Sequence, residues 1–165
     1  MDISTKESFP NLDLQRFDLR EAKPEDCDAI MGLIRELADF ELEPDSVTNT
    51  AEQLKLEGFG PTPLFECLVV EGPNGIVGFA LWYYRYSTWN GKRLYLEDLY
   101  IQPAFRNQNL GLKAFEAVVA KAKANGCTAV CWQVLDWNTK AQDFYRRIGA
   151  KERAGWMDML IEIDK

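Results

Sequence analysis

Three stretches of the chain carry side chains whose types and spacing could do chemistry. The first is "YLEDLY", where Glu97 and Asp98 stand side by side in an otherwise apolar run. Two carboxylates are costly to bury unless they are paired or used. In a regular strand they point to opposite faces, and a bulge would splay them differently. The second is "RNQNLG", which follows an apolar run and precedes a helical pattern. A loop that ends at a helix N-terminus offers unpaired backbone N–H groups to an anion, and Arg106 adds a charge-assisted donor. Loops of this kind usually carry several glycines. Here only Gly111 is present, with Asn107 and Asn109 where others would be expected. If the backbone needs a positive φ there, asparagine is the least costly substitute. The third is "DWNTKAQDFYRRIGA", in which Asn138 can cap a helix. Of its adjacent aromatics Phe144 and Tyr145, one can fill a core while the other reaches a cleft.

Composition narrows that chemistry. The 165 residues include no histidine. This removes Ser-His and Cys-His nucleophiles, most zinc chemistry and the commonest general base. Acid–base work then falls to carboxylates, tyrosine, lysine, cysteine or water. The four cysteines, Cys27, Cys67, Cys127 and Cys131, form no C-x-x-C pair. They read as reduced thiols, and no metal site is expected. A net charge of −7 argues against nucleic acid as a partner and favours encounter with cationic ligands. No apolar run is long enough for a membrane span, and the N-terminus lacks signal-peptide character. These features point to a cytoplasmic protein with no membrane partner. We expect a flexible leader over residues 1–13, followed by a single domain over 14–165.

The elements that must position these residues follow from periodicity. "LQRFDLREA" alternates as a short strand. Pro24, Glu25 and Asp26 start a helix whose buried face carries Ile30, Leu33, Ile34, Leu37 and Ala38. Thr50 and Gln53 have capping-box spacing for a second helix, roughly residues 50–57. "FECLVVE", "IVGFALWYYRY" and "RLYLEDLYI" read as three strands joined by turns at "GPNG" and "TWNG". A long helix carries Leu112, Phe115, Val119 and Ala122 and stops at Asn125-Gly126. "AVCWQVL" reads as a strand, residues near 138–148 as a helix, and "WMDMLIEI" as a final strand. The order predicts an α/β (α+β) fold. Its sheet is mixed, mostly antiparallel and twisted, with six to seven strands and helices on both faces.

In this order and spacing the three stretches resemble the Gcn5-related N-acetyltransferase superfamily. "RNQNLG" is similar to the family's Q/R-x-x-G-x-G/A loop, with Asn109 departing from it at the first motif glycine. "IRELADFE", "LEGFG", "YSTWNGKRLYLEDLYI", "NGCTAVCWQVLDWN" and "DFYRRIGA" resemble the diamine (spermidine/spermine) acetyltransferases. "YSTW" and "LDWN" resemble the thialysine-type branch most closely. The likeness runs over roughly residues 16–163.

The resemblance implies the acetyltransferase fold, acetyl-CoA as co-substrate, and direct acetyl transfer to a primary amine in a ternary complex. It also implies a homodimer and a small cationic amine as substrate. Backbone groups of Leu99, Tyr100 and Ile101 would hold the pantetheine arm where two strands diverge. Arg106, Asn107, Gln108, Asn109, Leu110, Gly111 and Leu112 would hold the pyrophosphate. Asn138, Thr139, Lys140 and Ala141 would flank the arm, and Tyr145 would be the general acid to the thiolate. Glu97 would be the base, directly or through a water. Phe40, Glu41, Trp89, Asp98, Cys131, Trp132 and Gln133 would complete the substrate side. Polyamine-preferring members carry an acid where this chain has Ser87, which favours short substrates such as thialysine-like amino acids or small diamines. Two other readings remain at this stage: a polyamine or protein-amine acetyltransferase, and a non-catalytic acyl-CoA-binding or interaction module. A nucleotide-phosphate binder is disfavoured, because the loop has no P-loop lysine.

Overall fold

Five strands form one sheet in the computed structural model, which describes residues 17–163. The expected leader over residues 1–13 lies outside the described residues. The strands are β1 (Asp18–Glu21), β2 (Glu66–Gly72), β3 (Gly75–Ser87), β4 (Gly91–Ile101) and β5 (Val130–Cys131). They lie in the order β1-β2-β3-β4-β5. The first four pair antiparallel, and β5 pairs parallel to β4. The helices are α1 (Cys27–Phe40), α2 (Ala51–Phe59), α3 (Leu110–Ala124) and α4 (Thr139–Arg147). The chain divides after Trp132 into two compact units.

The first unit holds the sheet. In the middle of β3 both faces are apolar, so helices must cover both. Phe79 and Leu81 share a core with Cys27, Ile30 and Leu33 of α1 and Leu54 of α2. The intervening Ala80 and Trp82 are equally buried. They belong to the opposite face, where Ala114, Val118 and Ala122 of α3 are buried too. Local signals act as expected. Thr50 Oγ1 accepts the N–H of Gln53 at 3.1 Å and starts α2. Asn125 ends α3, and Gly126 follows at φ +68°, a conformation that glycine takes without steric cost. An ion-pair cluster ties the beginning of the unit together. Arg20 of β1 donates to Asp26 at 2.7 and 3.0 Å and to Glu71 of β2 at 2.6 Å. No helix among the described residues is long and apolar enough to cross a membrane.

The second unit carries α4, capped by Asn138, whose Oδ1 accepts the N–H of Ala141 at 3.2 Å. Gln142 closes the preceding loop by donating to the carbonyls of Leu135 and Asp136, each at 2.9 Å.

The expected six to seven strands are corrected to five among the described residues. "AVCWQVL" shortens to Val130–Cys131, and "WMDMLIEI" forms no strand. Alternating apolar residues specify the faces of a strand but not its hydrogen-bonding neighbour. A two-residue β5 supplies little edge on which a further strand could be built.

Candidate active site

The register of the β3–β4 hairpin decides where the carboxylates point. Asp98 pairs with Leu81, while Leu96 pairs with Trp82, so Glu97 is an extra residue opposite none. This is a β-bulge, which re-aims the side chains of its strand. Leu81 lies on the face covered by α1, and its partner Asp98 shares that face. Asp98 is half-buried. Burial, reinforced by the charges of Glu97 and Glu41, pushes its carboxyl up to about 7. Glu41 follows the last residue of α1, and burial raises its carboxyl too. The end of α1 is tight. Glu41 donates its N–H to the carbonyl of Leu37 at 2.9 Å, and Leu42 takes φ +64°. Glu97 and Glu41, from two distant segments, therefore lie within electrostatic reach of Asp98 at the bulge.

Sequence reasoning missed Tyr83, a neighbour of this group. Burial, followed by the Glu97 carboxylate beside it, raises its phenol. The signal was present, because counting back from the "TWNG" turn sets Tyr83 opposite Tyr95. Glu36 was missed as well. One turn before Phe40 on α1, it accepts from the Tyr100 hydroxyl at 3.2 Å and from Gln102 Nε2 at 2.8 Å. These bonds tie α1 to the end of β4.

Beyond the bulge, β4 runs on to Ile101, but its pairing with β5 stops at Tyr95–Cys131. The edge of β4 at Leu99, Tyr100 and Ile101 thus has no pairing with β5. Arg106 donates from Nε to the carbonyl of Ile101 at 2.8 Å. Its guanidinium lies 5.6 Å from the Phe40 ring centroid and 5.5 Å from that of Tyr100. Arg106 therefore links the end of α1 to the start of the loop, a contact not anticipated from its motif position.

The loop itself answers the question of the missing glycines. Asn107 has φ +63° and Asn109 has φ +61°. Both occupy the left-handed region that asparagine tolerates best among non-glycine residues. Asn109 precedes α3 without making a side-chain cap. Leu110, Gly111 and Leu112 form the first turn of α3, whose N–H groups have no partners within the helix. A Cβ built on Gly111 would meet only Ile101 Cγ1, at 4.0 Å, so the space beside this turn is open. Left-handed turns, free helix N–H groups and open space fit the pyrophosphate and arm of a nucleotide thioester.

The remaining candidates are carried by other elements. Trp89 sits in the turn between β3 and β4, exposed, at the far end of the hairpin from Glu97. Cys131 ends β5, and Trp132 packs edge-on against Phe115 of α3 at 5.2 Å. In the second unit, Gln133 donates to Asp158. Thr139, Lys140 and Ala141 form the first turn of α4 after Asn138. Tyr145, later in α4, is half-buried against Phe144 at 5.1 Å. Burial pushes its phenol up to about 12.

Comparison with known proteins gives the family. Residues 30–150 match the acetyltransferase (GNAT) family. The thialysine N-epsilon-acetyltransferase of Bos taurus is 44% identical over 149 residues, covering 84% of this chain and 88% of that protein. The spermidine/spermine N(1)-acetyltransferase-like protein 1 of Homo sapiens is 36% identical over 150 residues, covering 85% of this chain and 22% of that longer protein. The solved structure of aminoglycoside N-acetyltransferase AAC(6')-Iy in complex with CoA shares the fold, with a TM-score of 0.68 at 18% identity, covering 92% of this chain and 95% of that one. The chain therefore belongs to the GNAT acetyltransferase family and is an N-acetyltransferase.

Proposed function

We propose that the enzyme transfers acetyl from acetyl-CoA directly to the primary amine of a small cationic substrate, in a ternary complex. The preferred substrate is a thialysine-like amino acid or a small diamine. The observation that carries this reading is the β4 bulge, where Asp98 lies within electrostatic reach of Glu97 and Glu41 and the edge of β4 free of β5 begins. The names of the relatives, thialysine and spermidine/spermine acetyltransferases, support an amine acceptor.

Acetyl-CoA, when bound, supplies an acyl group activated as a thioester. The chain's own residues do the rest. The loop at Asn107–Leu112 and the N-terminus of α3 bind the pyrophosphate, and the edge of β4 at Leu99–Ile101 orients the arm. Asn138–Ala141 flank it. Glu41 and Asp98 hold the substrate ammonium. Glu97, exposed at the bulge, takes the proton from that ammonium, directly or through one water. Tyr145 donates a proton to the leaving sulfur. A raised phenol remains protonated throughout the neutral range, as a donor must.

Ser87, the last residue of β3, supplies no carboxylate for a distant second ammonium. Competition between thialysine and spermidine tests the substrate class. Higher kcat/KM on thialysine is expected. A clear preference for spermidine would move the assignment to a polyamine acetyltransferase.

A further inference from the structure

The hairpin face beyond the bulge carries positive charge, which an all-acidic amine site does not explain. Tyr83 is opposite Tyr95, and Arg85 is opposite Arg93. Directly paired residues share a face, so these four side chains stand together. The two tyrosine rings lie 5.3 Å apart, and the Arg85 guanidinium lies 5.5 Å from the Tyr95 ring centroid. Tyr83 stands within the electrostatic reach of Glu97 on one side and Arg85 on the other.

Like charges directly opposed across a hairpin are unfavourable. Among the described residues, no carboxylate forms a salt bridge with either arginine. Arg93 donates to Asn90 Oδ1 at 2.6 Å, and its buried Nε has no hydrogen-bond partner. An anion bound at this pair would relieve the repulsion, and a carboxylate suits the planar fork of arginine.

We propose that Arg85, with Arg93 beside it, binds the carboxylate of an α-amino acid whose terminal amine sits at Glu97. The substrate class is then a diamino acid of about lysine length. This rests on the reading of Glu97 as the amine end of the site. Tyr95 lies two residues before Glu97, about 7 Å along a strand, and Arg85 bends over its ring. Glu97 and Arg85 both lie within electrostatic reach of Tyr83, so their separation is of the order that a lysine-like side chain spans between its terminal amine and its carboxylate. The rings of Tyr83 and Tyr95 line that span and pack against its methylene or thioether stem. The same arrangement selects against polyamines, because a second ammonium at this end would meet the guanidinium.

The test compares thialysine with the same molecule lacking its carboxylate, in the wild type and in Arg85→Met, by kcat and KM. The wild type should prefer thialysine. Arg85→Met should lower kcat/KM on thialysine about ten- to hundredfold, mainly through KM, the range for a lost hydrogen bond to a charged group. Its rate on the decarboxylated diamine should hold or rise, which also shows that the variant is folded. Arg85→Lys should recover part of the loss. Equal effects of Arg85→Met on both amines, or no effect on either, would overturn the inference while leaving the amine acetyltransferase intact. A wild type that turned over neither amine would overturn the functional reading and this inference with it.

Discussion

Tyr145 and Asp98 show the same force acting on two proton-carrying groups. Burial raises both, keeping the phenol protonated at neutral pH and bringing the carboxyl into the physiological range. Tyr145→Phe should lower kcat by about 10²-fold, within the usual range for acid–base groups. Acetyl-CoA affinity, read by equilibrium titration, should stay near wild type. For Asp98, kcat/KM on a cationic amine should fall as pH drops below about 7, because protonation removes the charge that we propose holds the ammonium. Stability has the opposite dependence. The unfolded carboxyl titrates near ~3.9, below its folded value, so the folded chain binds the extra proton between the two. The favourable contribution of the neutral form is complete below ~4 and is lost as pH rises through about 7. Asp98→Asn should therefore flatten the pH–rate profile. By denaturant titration it should add on the order of 1 kcal/mol at pH 8, a figure reduced for partial exposure.

At the scale of elements, the unit built on the sheet is clamped where β1, the turn before α1 and β2 meet. Asp26 is buried, accepts two bonds from Arg20, and also accepts the N–H of Lys23 at 2.7 Å. Arg20 holds its carboxyl below the ordinary range. That contribution to stability is present above the unfolded value near ~3.9 and is lost as pH falls through the lower folded value. Asp26→Ala should destabilise by about 2–3 kcal/mol at pH 7, with Arg20 left one carboxylate partner, Glu71. Chemical denaturation at pH 7 measures this, and the difference from wild type should shrink in acid.

Much of this architecture was legible in the sequence because the signals are local. The Thr50 cap, the Asn125-Gly126 stop, the hairpin turns and the α1 stripe each act within a few residues. The adjacent pair Glu97-Asp98 left a bulge open as one arrangement, and the asparagines at 107 and 109 are the residues that best tolerate the left-handed backbone found there. What escaped depends on partners far apart in the chain. No periodicity shows that Arg106 lies between Phe40 and Tyr100, that Glu36 reaches Tyr100 and Gln102, or that "WMDMLIEI" finds no neighbouring strand. Tyr83 lies between these cases, since it follows from register once the turn is fixed.

At the scale of the whole molecule, a net charge of −7 creates a field that attracts cations and is screened by salt over roughly 10 Å at 0.1 M. KM for a cationic amine should rise several-fold between low and physiological salt, while kcat stays nearly constant. Steady-state kinetics in a salt series at constant pH would show it. The same field and the acids at the bulge serve one central claim, that the chain acetylates a small amine from acetyl-CoA. Its most direct test is release of CoA thiol by the purified chain, with and without thialysine, with the product identified by mass. The account predicts thiol release that depends on the amine and matches N-acetylated product one for one. Tight acetyl-CoA binding with no amine-dependent release would contradict it and leave only an acyl-CoA-binding protein.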